Sequence, residues 1–150
     1  MPYYPFSERL GELLDEAGSL ANLSRKTDCD SSLLCQFFSR PRLPRLKTLE
    51  KMGKNLQMFP FLLYSKEAIF IPRGDLKLEV MDFFKRQRLF MGMRQKDVAK
   101  RVNGSRENYS NLETGVISQV RRVEEFLDAL ELKICYLVPP SDFLNLFYNL

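Results

Sequence analysis

Four apolar side chains, Leu76, Val80, Phe83 and Phe84, recur at steps of 0, 4, 7 and 8, the stripe of an amphipathic helix. Gly74-Asp75 supplies a turn and an N-cap before it, and Gly92 ends it. A short helix is predicted over residues 95–101, with Val98 and Ala99 inward and Arg94, Lys96, Lys100 and Arg101 in water. Asn103-Gly104 then accepts the left-handed backbone that a sharp turn needs, and Ser105 is a suitable cap for a third helix. On that helix Tyr109 and Leu112 share one face, while Arg106, Glu107, Ser110 and Asn111 point elsewhere. Thr114-Gly115 stops it. A last helix over residues 120–130 buries Val123, Phe126, Leu127 and Leu130. Residues 132–138, rich in β-branched and aromatic side chains before Pro139-Pro140, read as a strand.

The same order occurs about 75 residues earlier. Phe6, Leu10, Leu13 and Leu14 repeat the stripe, and Gly18 takes the place of Gly92. Leu23 and Ser24 stand 75 residues before Val98 and Ala99, Leu34 and Phe37 stand 75 before Tyr109 and Leu112, and Met52 and Leu56 stand 74 before Phe126 and Leu130. With 45% of the chain hydrophobic, apolar matches alone arise by chance, so the turns carry the weight. Asp28 falls opposite Asn103, and residues 56–59 opposite 130–133. The chain is therefore expected to be a tandem duplication: a first unit over residues 1–64, a linker over 65–74 containing Pro72 and Gly74, and a second unit over 75–150.

Charge sharpens this only slightly. The net charge is +4, shared evenly between the halves, a balance that suits phosphate partners without requiring them. The absence of histidine excludes His-based acid–base work, Ser-His triads and most zinc catalysis. Neither a Gly-rich phosphate loop nor a carboxylate pair in a recognisable context is present, so no enzyme, catalytic residue or cofactor is expected. Cys29, Cys35 and Cys135 suit neither a disulfide framework nor a metal site and are expected to be reduced. Apolar runs such as residues 59–64 and 134–138 fall far short of the roughly 20 residues that span a bilayer. The first residues lack a basic-then-apolar export signal, so a cytoplasmic protein without a membrane partner is expected.

The run Gln95-Lys-Asp-Val-Ala99-Lys-Arg-Val-Asn103-Gly-Ser-Arg-Glu-Asn-Tyr109-Ser-Asn-Leu112-Glu113-Thr-Gly115 resembles the Cro/lambda-repressor type of helix-turn-helix, the XRE family. It departs in two places, with Asn103 for the turn glycine and Tyr109 for a smaller apolar residue; Arg88, Gly92 and Met93 also sit where the family has its helix-ending Arg and Gly-Leu. Residues 129–139 are similar to the end of HipB-like antitoxins in the same family, where a strand pairs across a dimer. The resemblance implies an all-α fold of two tandem five-helix units, with short strands after the last helix of each. It also implies a sequence-specific repressor, of phage or mobile-element type, that binds double-stranded DNA.

A helix held at a fixed angle by a tight turn enters the roughly 12 Å major groove while its neighbour crosses the backbone. Gln95, flanked by Arg94 and Lys96, would offer its amide and helix-end N–H groups to a phosphate. Arg106 can fork to guanine and Asn111 can pair with adenine, while Ser105 and Ser110 serve base or phosphate. Glu107 suits cytosine or pairs with Arg106. The bland alternative is that these residues are a solvated helix face.

The first copy is weaker where chemistry would happen. Its counterpart helix begins at Asp30, lacks arginine and offers Gln36 as its one good base reader. Arg40, Arg42 and Arg45 follow directly, together with Lys47, and either clamp phosphates or form a solvated loop. The acids Asp28 and Asp30 favour, mildly, a second reading in which the first unit grips a protein partner, as in an inhibitor or antitoxin; RNA binding is a third. The strand at 132–138 needs a partner for its edge, so either an intramolecular pseudo-dimer, through residues 56–64, or a homodimer is expected. The aromatic side chains, among them Phe38 and Phe90, are expected in the core, and the apolar tail from Phe143 to Leu150 is expected to dock on the body or on another subunit.

Overall fold

The computed structural model describes residues 6–40, 42–66 and 69–142. Among these the chain is mostly helical, with a small three-stranded sheet. Helix α1 (Phe6–Ala17) buries Phe6, Leu10 and Leu13. It stops at Gly18, whose φ of 86° favours glycine. Helix α2 (Leu20–Thr27) starts on Ser19, whose hydroxyl accepts the Asn22 N–H at 3.1 Å. Helices α3 (Ser31–Ser39) and α4 (Leu46–Leu56) lead into strand β1 (Phe59–Tyr64), and strand β2 (Ile69–Phe70) turns back along it. Helix α5 (Leu76–Phe90) is capped by the Asp75 carboxylate, which accepts the Leu78 N–H at 3.1 Å. Helices α6 (Gln95–Arg101), α7 (Arg106–Glu113) and α8 (Val120–Glu125), a 3-10 turn (Asp128–Leu130) and strand β3 (Lys133–Val138) complete the order.

Elements recur along the chain. Helices α2 and α6 start 75 residues apart, as do α3 and α7, whereas α4 and α8, and β1 and β3, start 74 apart. Left-handed residues recur with them: Asp28 at φ 55° and Asn103 at 53°, then Gln57 and Glu131, both at 57°. The first helices match differently from the expected stripe. Burial sets Phe6, Leu10, Leu13 and Leu14 level with Val80, Phe84, Gln87 and Arg88, 74 residues on, and not with the stripe that begins at Leu76. The reason is that α5 begins at Leu76, four residues or about one turn before the level at which α1 begins.

Three further expectations change. Among the described residues four helices, not five, precede β1, because after Gln57 the aromatic-rich run Phe59–Tyr64 pairs as a strand. The helix expected over residues 120–130 breaks after Glu125, leaving Phe126 and Leu127 buried between α8 and the 3-10 turn. The segment 65–74 carries β2, which pairs Leu63 with Phe70.

The sheet order is β2-β1-β3, all antiparallel, and the pairing of residues near 56–64 with 132–138 is present. Phe61, Leu63, Ile134 and Tyr136 face a core built from helices of both halves, while Leu62, Tyr64, Cys135 and Val138 form a smaller cluster on the other face. Burial, with Cys135 adjacent, pushes the Tyr64 phenol up to about 12. Pro60 has no N–H to give the ladder. Opposite it, Leu137 adopts φ 48° and its carbonyl accepts from Arg9 Nη2 at 2.7 Å and Nε at 3.0 Å. A second link joins the halves at Arg45 and Gln119: the Leu46 N–H donates to Ser118 O at 2.8 Å and the Val120 N–H to Pro44 O at 3.2 Å.

Phe37, Phe61, Phe70, Phe83 and Phe84 lie in the core as expected. Phe38 and Phe90 do not: Phe90, on the outer side of the last turn of α5, is 70% exposed. Residues 143–150, including Phe143, Phe147 and Tyr148, lie outside the described residues. No disulfide joins Cys29, Cys35 and Cys135, and among the described residues no helix is long and apolar enough to cross a membrane.

Candidate nucleic-acid interface

Helices α6 and α7 are short because Asn103 and Gly104 end one and start the other. Asn103 carries the turn at φ 53°, and the Ser105 hydroxyl accepts the Asn108 N–H at 3.0 Å. Val98 and Ala99 anchor α6; Tyr109 and Leu112 anchor α7, with the Tyr109 ring edge-on to Phe126 at 5.1 Å between centroids. What fixes α7 most firmly is polar. Arg88 of α5 donates to Glu113 through Nε at 2.6 Å and Nη2 at 2.9 Å, and through Nη1 to Met93 O at 2.9 Å. The two side chains are 11% and 3% exposed. Burial alone would raise the Glu113 carboxyl, yet hydrogen bonds from Arg88, Tyr109 and Gln95 hold it below the ordinary carboxylate range. Tyr109, buried beside that carboxylate, is pushed up.

On the outer face, Lys96, Ser105, Arg106 and Glu107 are exposed, and Ser110 and Asn111 are half-buried. No ion pair joins Arg106 to Glu107 among the described residues. Two flanking residues are engaged within the protein. Gln95 turns its amide inward, donating to Glu113 Oε1 at 3.4 Å, because a buried carboxylate offers a stronger acceptor than water outside. Arg94 is occupied by Asp97, which accepts its Nε at 3.1 Å and its backbone N–H at 2.9 Å. The guanidinium in turn holds Asp97 below the ordinary carboxylate range.

In the first half, Gln36 is exposed on α3 but its Oε1 accepts from Arg42 Nη1 at 2.7 Å. Arg40, Arg42 and Arg45 are all exposed. Asp30 precedes α3 without capping it, and Asp28 lies 3.8 Å from Lys51. Where the second half has Arg88 and Glu113, the first has Leu14 and Phe38. Sequence reasoning placed Arg88 and Glu113 in the motif but gave them no bond. The signal was available: Glu113 follows Leu112 on the inward face of α7, and a carboxylate there requires a cationic partner. No group of His, Cys, Asp and Glu suited to a metal occurs among the described residues.

Comparison of the chain with known protein families, with curated proteins and with solved structures finds no match.

Proposed function

We propose that the chain is a sequence-specific DNA-binding regulator, a repressor of XRE type built from two tandem helix-turn-helix units. In this reading α6 and α7 form the competent unit and α2 and α3 its eroded copy. One observation carries it: a buried ion pair, Arg88–Glu113, and a left-handed Asn103 fix the angle of a short helix whose outer face presents Arg106, Glu107, Ser110 and Asn111. Such a helix fits the major groove, where a forked guanidinium and a carboxamide discriminate guanine and adenine. Lys96 contributes to phosphate binding, as does the backbone around Gln95.

An anisotropy titration of the chain against the region upstream of its own gene, with Arg106→Ala and Asn111→Ala beside it, tests the reading. Each substitution is expected to weaken the specific complex about 5- to 150-fold. Undiminished binding by both variants refutes the assignment of α7. The exposed acids Asp28 and Asp30 beside α3 support a second reading, a protein-binding inhibitor or antitoxin that regulates itself through α7. A stoichiometric protein partner on purification, with no preference for any duplex, would favour it; tighter binding to RNA than to duplex DNA would favour an RNA-binding role.

A further inference from the structure

We propose that a single chain occupies one DNA site with unequal halves, the second reading bases through α7 and the first holding phosphates through Arg40, Arg42 and Arg45. This rests on the DNA-binding reading above and names the form of its target.

The halves are related as a two-fold axis requires. Phe59 pairs with Val138 and Tyr64 with Lys133, and since 59 and 133, like 64 and 138, stand 74 apart, exchanging the halves leaves the register unchanged. Arg45 and Gln119, also 74 apart, bridge each other, and the two hydrogen bonds around them, Leu46 to Ser118 and Val120 to Pro44, exchange in the same way. An isologous contact between identical subunits has this form, and here it is made within one chain. The axis runs through the Arg45–Gln119 bridge and the middle of the β1–β3 pair.

Arg45 lies six residues after the end of α3, and Gln119 six after the end of α7. At about 3.3–3.6 Å per residue, each helix end lies within roughly 20 Å of the axis. That permits the separation of about 34 Å between successive major grooves. The second helix is therefore supplied without a second chain.

The side chains break the symmetry. Arg106 and Asn111 on α7 correspond to Ser31 and Gln36 on α3, and Arg42 occupies Gln36. Conversely, Arg40 and Arg45 correspond to Gly115 and Gln119, and no residue from 114 to 119 is charged. Base-reading groups sit on the second half, and the cations that follow the reading helix sit only on the first. A palindrome would waste one of its arms.

The test is selection of duplexes from a randomised pool on the full chain, followed by anisotropy and sedimentation of the selected complex. One chain per duplex is expected. Base-pair changes in one half-site are expected to cost about 5- to 150-fold, and in the other less than about 2-fold, as for contacts that carry no sequence information. Joint replacement of Arg40, Arg42 and Arg45 by alanine, checked for unchanged helicity, should weaken all duplexes alike. It should also lower the slope of log affinity against log salt by about 2 to 3, from about 0.9 per phosphate contact. Two chains per duplex, or a palindrome equally sensitive in both arms, overturns this inference while leaving the DNA-binding reading intact. Failure to enrich any duplex overturns both.

Discussion

Replacing Glu113 by alanine removes the acceptor of two charge-assisted hydrogen bonds, at 2.6 and 2.9 Å, and leaves the Arg88 guanidinium, 11% exposed, bonded to Met93 O but without its carboxylate. A buried charge without its partner costs about 3–5 kcal/mol, a large part of the 5–15 kcal/mol that holds an ordinary domain together. For a chain of 150 residues this lowers Tm by roughly 6–20 °C. Urea unfolding measures the effect directly, as a fall in the midpoint with little change in m. The control is the double variant Arg88→Met with Glu113→Leu, which removes both charges as the first half does with Leu14 and Phe38. Exchanging a buried pair for apolar side chains is often neutral or better, so the double variant is expected within about 2 kcal/mol of the natural protein. A cost below about 1 kcal/mol for Glu113→Ala, or a double variant as unstable as the single one, would refute a stabilising role for the buried pair.

The same pair predicts an acid limb. The folded Glu113 carboxyl titrates below its unfolded value of about 4.3, so its stabilisation is complete above that pH and is lost as pH falls through the lower folded value. Melting curves of the natural protein and the double variant should diverge as pH falls below about 4.3, because only the natural protein has the Glu113 carboxylate to lose; a difference independent of pH would contradict this. Asn103→Val, at φ 53°, should cost about 1–2 kcal/mol while Asn103→Gly costs little or nothing; equal Tm values for the two would refute the turn assignment. Cys29 and Cys135 are buried and Cys35 is exposed, so a native thiol titration should give one fast and two slow sulfhydryls. More than one fast thiol would show the packing around α3 or β3 to be wrong.

Much of the frame was legible because turns and periodicity act locally. Gly18, Asp28, Asn103 and Gly115 each mark a chain reversal, and each does so through its own backbone preference. What escaped the sequence depended on contacts across it. Nothing near Phe126 announces the break after Glu125, and the extra turn at the start of α5 hid the true level of Phe6 and Leu10. Gln95 reads as a free amide until Glu113, 18 residues away, is seen to be buried beside it. The Arg45–Gln119 bridge has no sequence signature, because only backbone groups make it.

Shared packing also bears on how the chain unfolds. The main core runs through both halves, and Phe6 meets Tyr136 edge-on with ring centroids 5.4 Å apart. Arg9 of α1 holds the Leu137 carbonyl, and Glu50 of α4 accepts the first N–H of α5, from Leu76, at 2.8 Å. Separating the halves would strip β1 from β3 and expose Phe61, Leu63, Ile134 and Tyr136 together, so neither half has a complete core of its own. A single cooperative transition is expected, with calorimetric and van't Hoff enthalpies equal and with tyrosine fluorescence and far-ultraviolet circular dichroism coincident. Glu113→Ala, although confined to the second half, should then move the whole transition. Two resolved transitions, only one of them displaced by Glu113→Ala, would mean that the sheet joins the halves without coupling them.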